Sequence, residues 1–136
     1  MEHVFNLLQP ENKTTLNYVQ GNNTDIVNTL LAAVPKAIQQ GKKIYSQFID
    51  KTEFKTCAKV WHFVKYNIAY QVDIPGTQNI QLPSALLASK RGDCKSKTLL
   101  CVSILANALP GAKVFIRFVS YDVNDSTPTH VYCYVI

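Results

Sequence analysis

The stretch from Asp93 to Leu109 constrains this chain more than any other segment. Past its first turn it carries Leu99, Leu100, Cys101, Val102, Ile104 and Leu105, so apolar residues fall on nearly every side of a helix. Such a helix must be covered from several directions, which makes it the central buried element of the fold. Its limits are well marked. Asp93 is a good N-cap residue after Gly92, and Pro110-Gly111 stops the helix. A chain of 136 residues supplies enough sequence around it for one domain with a proper core, and is short for two.

The partners of that helix can be read on both sides of it. Residues 1–23 are mixed and polar and read as an N-terminal arm or strand; residues 24–136 read as the domain. Thr24 and Asp25 can cap a helix to about Gln40 with an apolar stripe of Ile26, Leu30, Leu31 and Val34, kinked or broken at Pro35. Ile44, Tyr45, Phe48 and Ile49 mark a short second helix. A third runs from about Thr52 to Ala69, with Phe54, Ala58, Trp61, Val64 and Ile68 as its expected core face. Tyr70 to Pro83 has no clear period and reads as a loop, with Asp73 and Gly76 as turn residues, and Ser84 to Ser89 as a short helix. Ala112–Ser120 and Thr129–Ile136 then read as two strands joined by a polar loop, fit for a hairpin. Period-2 alternation sets His130, Tyr132 and Tyr134 on one face and Val131, Cys133 and Val135 on the other. The expected fold class is therefore α+β: N-terminal helices and a central buried helix packed on an antiparallel sheet.

Composition excludes some classes of function. With 47% apolar and 17% charged residues the chain is globular rather than disordered, and no run approaches the roughly 20 apolar residues of a membrane span. The N-terminus lacks the basic and apolar regions of a secretory signal. Cys57, Cys94, Cys101 and Cys133 form no CxxC, and together with His3, His62 and His130 they show no metal-ligand spacing, so neither a metal nor a cofactor is expected. A reduced intracellular setting fits these thiols. The net charge of +5 comes mainly from scattered lysines; Lys51, Lys55 and Lys59 make a helical stripe that reads as a solvated face rather than a nucleic-acid site.

The chemistry concentrates at Gly92-Asp93-Cys94-Lys95-Ser96. A thiol at a helix start sits among N–H groups without intrahelical partners and at the positive end of the helix dipole, and both favour the nucleophilic thiolate. Lys90, Arg91, Lys95 and Lys97 add positive charge around Cys94, with Asp93 the only acid among them. His130 opens the last strand and can carry a proton, so Cys94 and His130 have the residue types of a thiol acyl-transfer pair. A cysteine packed under the sheet and a histidine with an ordinary hydrogen bond are the plainer reading of the same residues.

Ordered along the chain, these residues resemble a known family. Trp61-His62-Phe63-Val64-Lys65-Tyr66-Asn67-Ile68-Ala69-Tyr70, then Asp73, Gly76 and Pro83, then Gly92-Asp93-Cys94 and finally Thr129-His130-Val131-Tyr132 are similar to the transglutaminase-like branch of the papain-like cysteine enzymes. Within it they look like the small versions encoded by bacteriophages and prophages. Those share a helix ending in Ile-x-Tyr, a D-x-x-G loop, a proline before the helix, GDC and a late His-Val-Tyr strand. The resemblance covers roughly residues 25–136 and implies a papain-like core with Cys94 as nucleophile and His130 as general base and acid.

It also implies a substrate: a protein or peptide amide, attacked to give an acyl-enzyme, in the host cytoplasm or on a virion. The family's third residue, an Asp or Asn on the strand after the histidine strand, has no counterpart through Ile136; Asp122, Asn124 and Asp125 precede His130. The expectation is that the natural protein continues into that strand. The alternative is a catalytically silent module of the same fold that binds phage structural proteins. For the oxyanion, the amides of Gln78 and Gln81 are candidate donors upstream of Cys94, and Trp61 is expected in the core.

Overall fold

A computed structural model describes residues 3–8, 15–19, 23–73, 77–120 and 130–136, with the backbone alone described at 15–19, 23–25 and 77–78. Among them are five α-helices and three two-stranded sheets, so the chain is α+β. The helix that the sequence places at the centre, α5 (Cys94–Ala108), is indeed surrounded. On one side Leu100, Ile104 and Leu105 pack with Val60, Phe63 and Phe48. On the other, Leu99 packs with Leu30, Ala33, Ile80 and Val131. Two apolar clusters on opposite flanks are the reason its apolar residues run all round.

The helices that cover α5 are placed by local chemistry. α1 (Val4–Leu7) and the following Leu8 send Val4 and Leu8 into the first cluster, and the ring of Phe5 lies 5.5 Å from that of Phe63. β1 (Thr15–Val19) forms an antiparallel pair elsewhere in the fold, so parts of the segment read as an arm belong to the folded body. α2 (Asn23–Gly41) runs unbroken through Pro35. The proline is exposed, so the Leu31 carbonyl that loses its N–H partner can be satisfied by water. The buried face of α2 is Leu30, Ala33, Ala37 and Gln40; Leu31, expected in the stripe, is largely exposed. Tyr45–Phe48 forms a 3-10 turn where a short helix was expected, and Phe48 meets the Phe63 ring edge-on at 5.2 Å.

α3 (Glu53–Asn67) starts at Thr52, whose side chain accepts from the Lys55 N–H at 3.1 Å. Its core face is Thr56, Val60, Phe63 and Val64, with Ile68 just beyond. Phe54, Ala58 and Trp61, expected in the core, are exposed instead. The helix carries apolar residues on two faces, and Thr56 helps choose between them: its hydroxyl accepts from the Asp50 N–H at 2.9 Å, which turns that face inward.

The stretch read as a loop contains one strand, and a second takes up Ala69, expected at the end of the third helix, together with Tyr70. β2 (Ala69–Tyr70) pairs in parallel with β4 (Arg91–Gly92), and β3 (Thr77–Gln81) pairs antiparallel with β1. Both were missed because two residues show no period, and β3 mixes polar residues with a single buried Ile80. α4 (Pro83–Ser89) has its proline in the first turn, where no N–H is needed, and ends at Lys90 in the left-handed region with φ 57°. The final hairpin pairs β5 (Val114–Val119) with β6 (His130–Val135), Val119 opposite His130, and α5 lies against it. Asp122, Asn124, Asp125 and Gly76 fall outside the described residues, as does the side chain of Gln78.

Candidate active site

Asp93 builds the start of α5. Its carboxylate accepts from the N–H groups of Lys95 at 3.1 Å and Ser96 at 3.5 Å, leaving the Cys94 N–H as a first-turn amide outside the helix ladder. Gly92 is closely packed: a Cβ there would lie 2.8 Å from Leu86 Cδ1, 3.2 Å from Gln81 Nε2 and 3.3 Å from Ser96 Cβ, so side chains would have to shift to admit it. So the glycine of Gly-Asp-Cys lets α4 close on α5, the aspartate caps, and the thiol stands on the first turn.

The positive charge expected around Cys94 is mostly spent elsewhere. Lys95 is buried, in close contact with the Asp93 carboxylate and 3.5 Å from Asp73 Oδ2. Asp73, read as a turn residue, also accepts from the Asn79 N–H at 3.0 Å, so it ties the start of α5 to β3. Burial pushes the Asp93 carboxyl up from its ordinary value, against the opposing pull of Lys95. Lys90 lies over the Phe5 ring. Of the four basic residues, Lys97 is the one that lines the groove with Cys94.

That groove, about 690 Å³, holds both residues of the expected pair. α5 forms its floor with Cys94, Thr98, Cys101 and Leu105; α3 forms one wall with Phe54, Cys57 and Trp61; β6 forms the other, starting at His130. One hydrogen bond locks floor to wall: Thr98 Oγ1 donates to the Val131 carbonyl at 3.1 Å. Thr98 is one helical turn, about 6 Å, from Cys94. Val131 is the residue after His130, about 3.3 Å along the strand. Cys94 and His130 therefore lie toward the same end of the groove, with Val131 turned toward α5 and the His130 ring stacked on that of Tyr132 at 6.0 Å.

Tyr70 stands at that end as well. It is the cross-strand partner of Gly92, two residues before the thiol, and its ring lies 5.5 Å from Lys97 Nζ. Partial burial, together with the charges of Cys94 and Asp93, pushes its phenol up, so the hydroxyl stays a hydrogen-bond donor. Gln81, one of the two candidate oxyanion donors, is engaged elsewhere. Its Nε2 donates to the Arg91 carbonyl at 2.8 Å and its Oε1 accepts from Ser89 Oγ at 2.7 Å, which fixes the loop before Cys94. Trp61, expected in the core, is 58% exposed and lines the groove. Two apolar faces on one helix were the signal for it.

Among the described residues no group of three His, Cys, Asp or Glu side chains is arranged to hold a metal ion, and no helix is long and apolar enough to cross a membrane. The remaining thiols are of another kind. Burial pushes Cys101 up to about 12 and Cys133 up to about 11. In native protein their alkylation by iodoacetamide is expected to appear only as the pH approaches those values, read by peptide mass spectrometry. Both thiols are half-buried and line the groove, so labelling of either at pH 8 would contradict the upward shifts rather than their accessibility. The same shifts act on stability. The unfolded chain ionises both thiols near 9.0, so native stability falls as pH rises from there through about 12.

No family model, curated protein or solved structure matches this chain. The class defined by fold and site is an α+β chain with a helix-start thiol and a strand histidine at one end of a shared groove.

Proposed function

We propose that the chain is a transglutaminase-like enzyme with a papain-like core, which transfers acyl groups from amides through Cys94 and His130. The single observation that supports this reading is that Cys94 and His130 both line one open groove, whose α5 and β6 sides are joined by the Thr98–Val131 hydrogen bond. His130 takes the Cys94 proton and the thiolate attacks the amide carbon. The tetrahedral oxyanion is met by the Cys94 N–H and the Tyr70 hydroxyl. The C–N bond then breaks, the amine leaves with the proton held by the imidazolium, and a thioester remains on Cys94. Water, activated by His130, attacks that thioester, releasing the acid and restoring the thiol. An amine in place of water would give cross-linking; hydrolysis needs only an accessible water, and the groove is open.

The test is capture of the acyl-enzyme. A thiol-directed peptide ester is expected to leave an acyl adduct on Cys94, seen by intact and peptide mass. Cys94→Ala should lose the adduct, while Cys57→Ala, Cys101→Ala and Cys133→Ala keep it. Equal labelling of the parent chain and Cys94→Ala would overturn the reading. It would favour a silent module of the same fold, for which the exposed aromatic wall of the groove is the supporting feature.

A further inference from the structure

Lys95 follows the thiol directly, yet its ammonium does not turn to solvent. The fold buries it: Lys95 is 9% exposed and Asp93 7%. A buried ammonium needs an opposite charge beside it, and one carboxylate would serve. Two are present, Asp93 in close contact and Asp73 with its Oδ2 at 3.5 Å. Two carboxylates and one ammonium leave a net charge of −1 at the start of α5, next to the half-buried Cys94. Negative charge opposes ionisation of a neighbouring thiol, and the Lys95 cation is what halves it.

These groups are held in place from several sides. The chain crosses the start of α5 in β2, where the Ala69 N–H donates to the Lys90 carbonyl at 2.9 Å and the Gln71 N–H to the Gly92 carbonyl at 3.0 Å. Asp73 follows two residues on. It is fixed from β3 by Asn79, whose N–H donates to Oδ2 at 3.0 Å and whose side-chain amide donates to Oδ1 at 3.4 Å. Asp93 is fixed by its capping bonds from the Lys95 and Ser96 amides. Tyr70 lies between the two β2 bonds, with Lys97 Nζ 5.5 Å from its ring. After burial, the charges that act on its phenol are those of Cys94, Asp93, Lys95 and Asp73, so all four lie near one hydroxyl.

We propose that Asp73, Lys95 and Asp93 form a charge clamp on the reactive end of α5, in which Lys95 is a positioning residue. Its ammonium offsets the two carboxylates as negative charge arrives on the Cys94 sulfur. Asp73 is the counterweight. It holds the ammonium at the helix start, and it also sets how much of that charge is left for the thiol. The effect on the thiol is independent of what the thiol attacks; its use in acyl transfer rests on the Cys94–His130 reading.

The test is the pH profile of Cys94 alkylation by iodoacetamide in the full chain, read by peptide mass spectrometry. Lys95→Met takes the net charge of the cluster to −2. Labelling at about pH 7.5 is then expected at least about threefold slower than in the parent, with the whole profile moved to higher pH. Asp73→Asn takes the charge to zero and moves the profile to lower pH, while the new amide oxygen can still accept from the Asn79 N–H. Combining Lys95→Met with Asp73→Asn restores −1, and the profile returns to that of the parent; Lys95→Arg leaves it there throughout. A cluster that merely braces the helix start would move both single variants the same way and the double variant further. That pattern overturns the proposal, and so do unchanged profiles. Where Lys95→Met alone fails to fold, Asp73→Asn and the double variant decide in the same terms. Peptide-ester capture on the same variants keeps the two readings apart. Profiles ordered as expected, with no acyl-enzyme in the parent, would sink the catalytic reading and leave the clamp standing.

Discussion

Replacing Gly41 with alanine is expected to destabilise the chain more than any other single methyl addition to a described glycine. A Cβ at Gly41 would lie 2.1 Å from the Ser103 carbonyl oxygen and 2.6 Å from its carbon, both backbone atoms of α5. A flexible side chain can move aside; a helix backbone in the centre of the molecule cannot. The same crossing is held by Asn107, whose Nδ2 donates to the Ile38 carbonyl of α2 at 2.9 Å and to the Ser103 carbonyl at 2.7 Å. Separating α2 from α5 to admit a methyl group would stretch these bonds and open the cluster of Leu30, Ala33 and Leu99. Overpacking of this kind costs about 3 kcal/mol or more. For a domain of this size that lowers the melting temperature by about 10 °C. The control is Gly111→Ala, where a Cβ meets nothing within 4 Å and stability is expected to change by no more than about 0.5 kcal/mol. Equal melting temperatures for the two variants would mean that α2 and α5 do not cross this closely.

The second large effect is kinetic. On any peptide amide that the chain turns over, Cys94→Ala and His130→Ala are each expected to lower kcat/KM by about 10⁴-fold or more, and the double variant no further. In the proposed mechanism the two groups act on one proton and one carbonyl. Once the thiol is gone the imidazole has no nucleophile to activate, and without the imidazole the leaving amine has no acid. Independent contributions would instead multiply. Multiplying losses, or a His130→Ala variant as active as the parent, would separate the histidine from the chemistry. Because both residues line the groove at its open end, neither substitution is expected to move the melting temperature as Gly41→Ala does, and that comparison guards against misreading an unfolded variant as an inactive one.

Much of this site is legible in the chain itself. Gly92-Asp93-Cys94 announces a helix start because a cap, a close approach and a first-turn residue are local matters, settled within a few residues. The burial of α5 follows from its composition alone, since no partly exposed helix carries apolar residues all round. The two strands near the C-terminus follow from their β-branched and aromatic runs, and the period-2 pattern orders their faces.

What the tertiary structure alone decided is where two-sided elements turn. α3 has apolar residues on two faces, and only its packing on α5, with Thr56 bonded to Asp50, buries Val60 and Phe63 and leaves Phe54 and Trp61 for the groove. Lys95 reads as an activating charge beside the thiol until the fold brings Asp73, 22 residues earlier, against it. Gln81 reads as a free amide until both of its ends are seen bonded to the loop before Cys94. The deciding partners lie between 6 and 22 residues away, beyond helical or strand spacing, and a side chain's chemistry is set by what lies beside it in space. Local spacing determined the helix that carries the thiol; only long-range packing determined what the thiol faces.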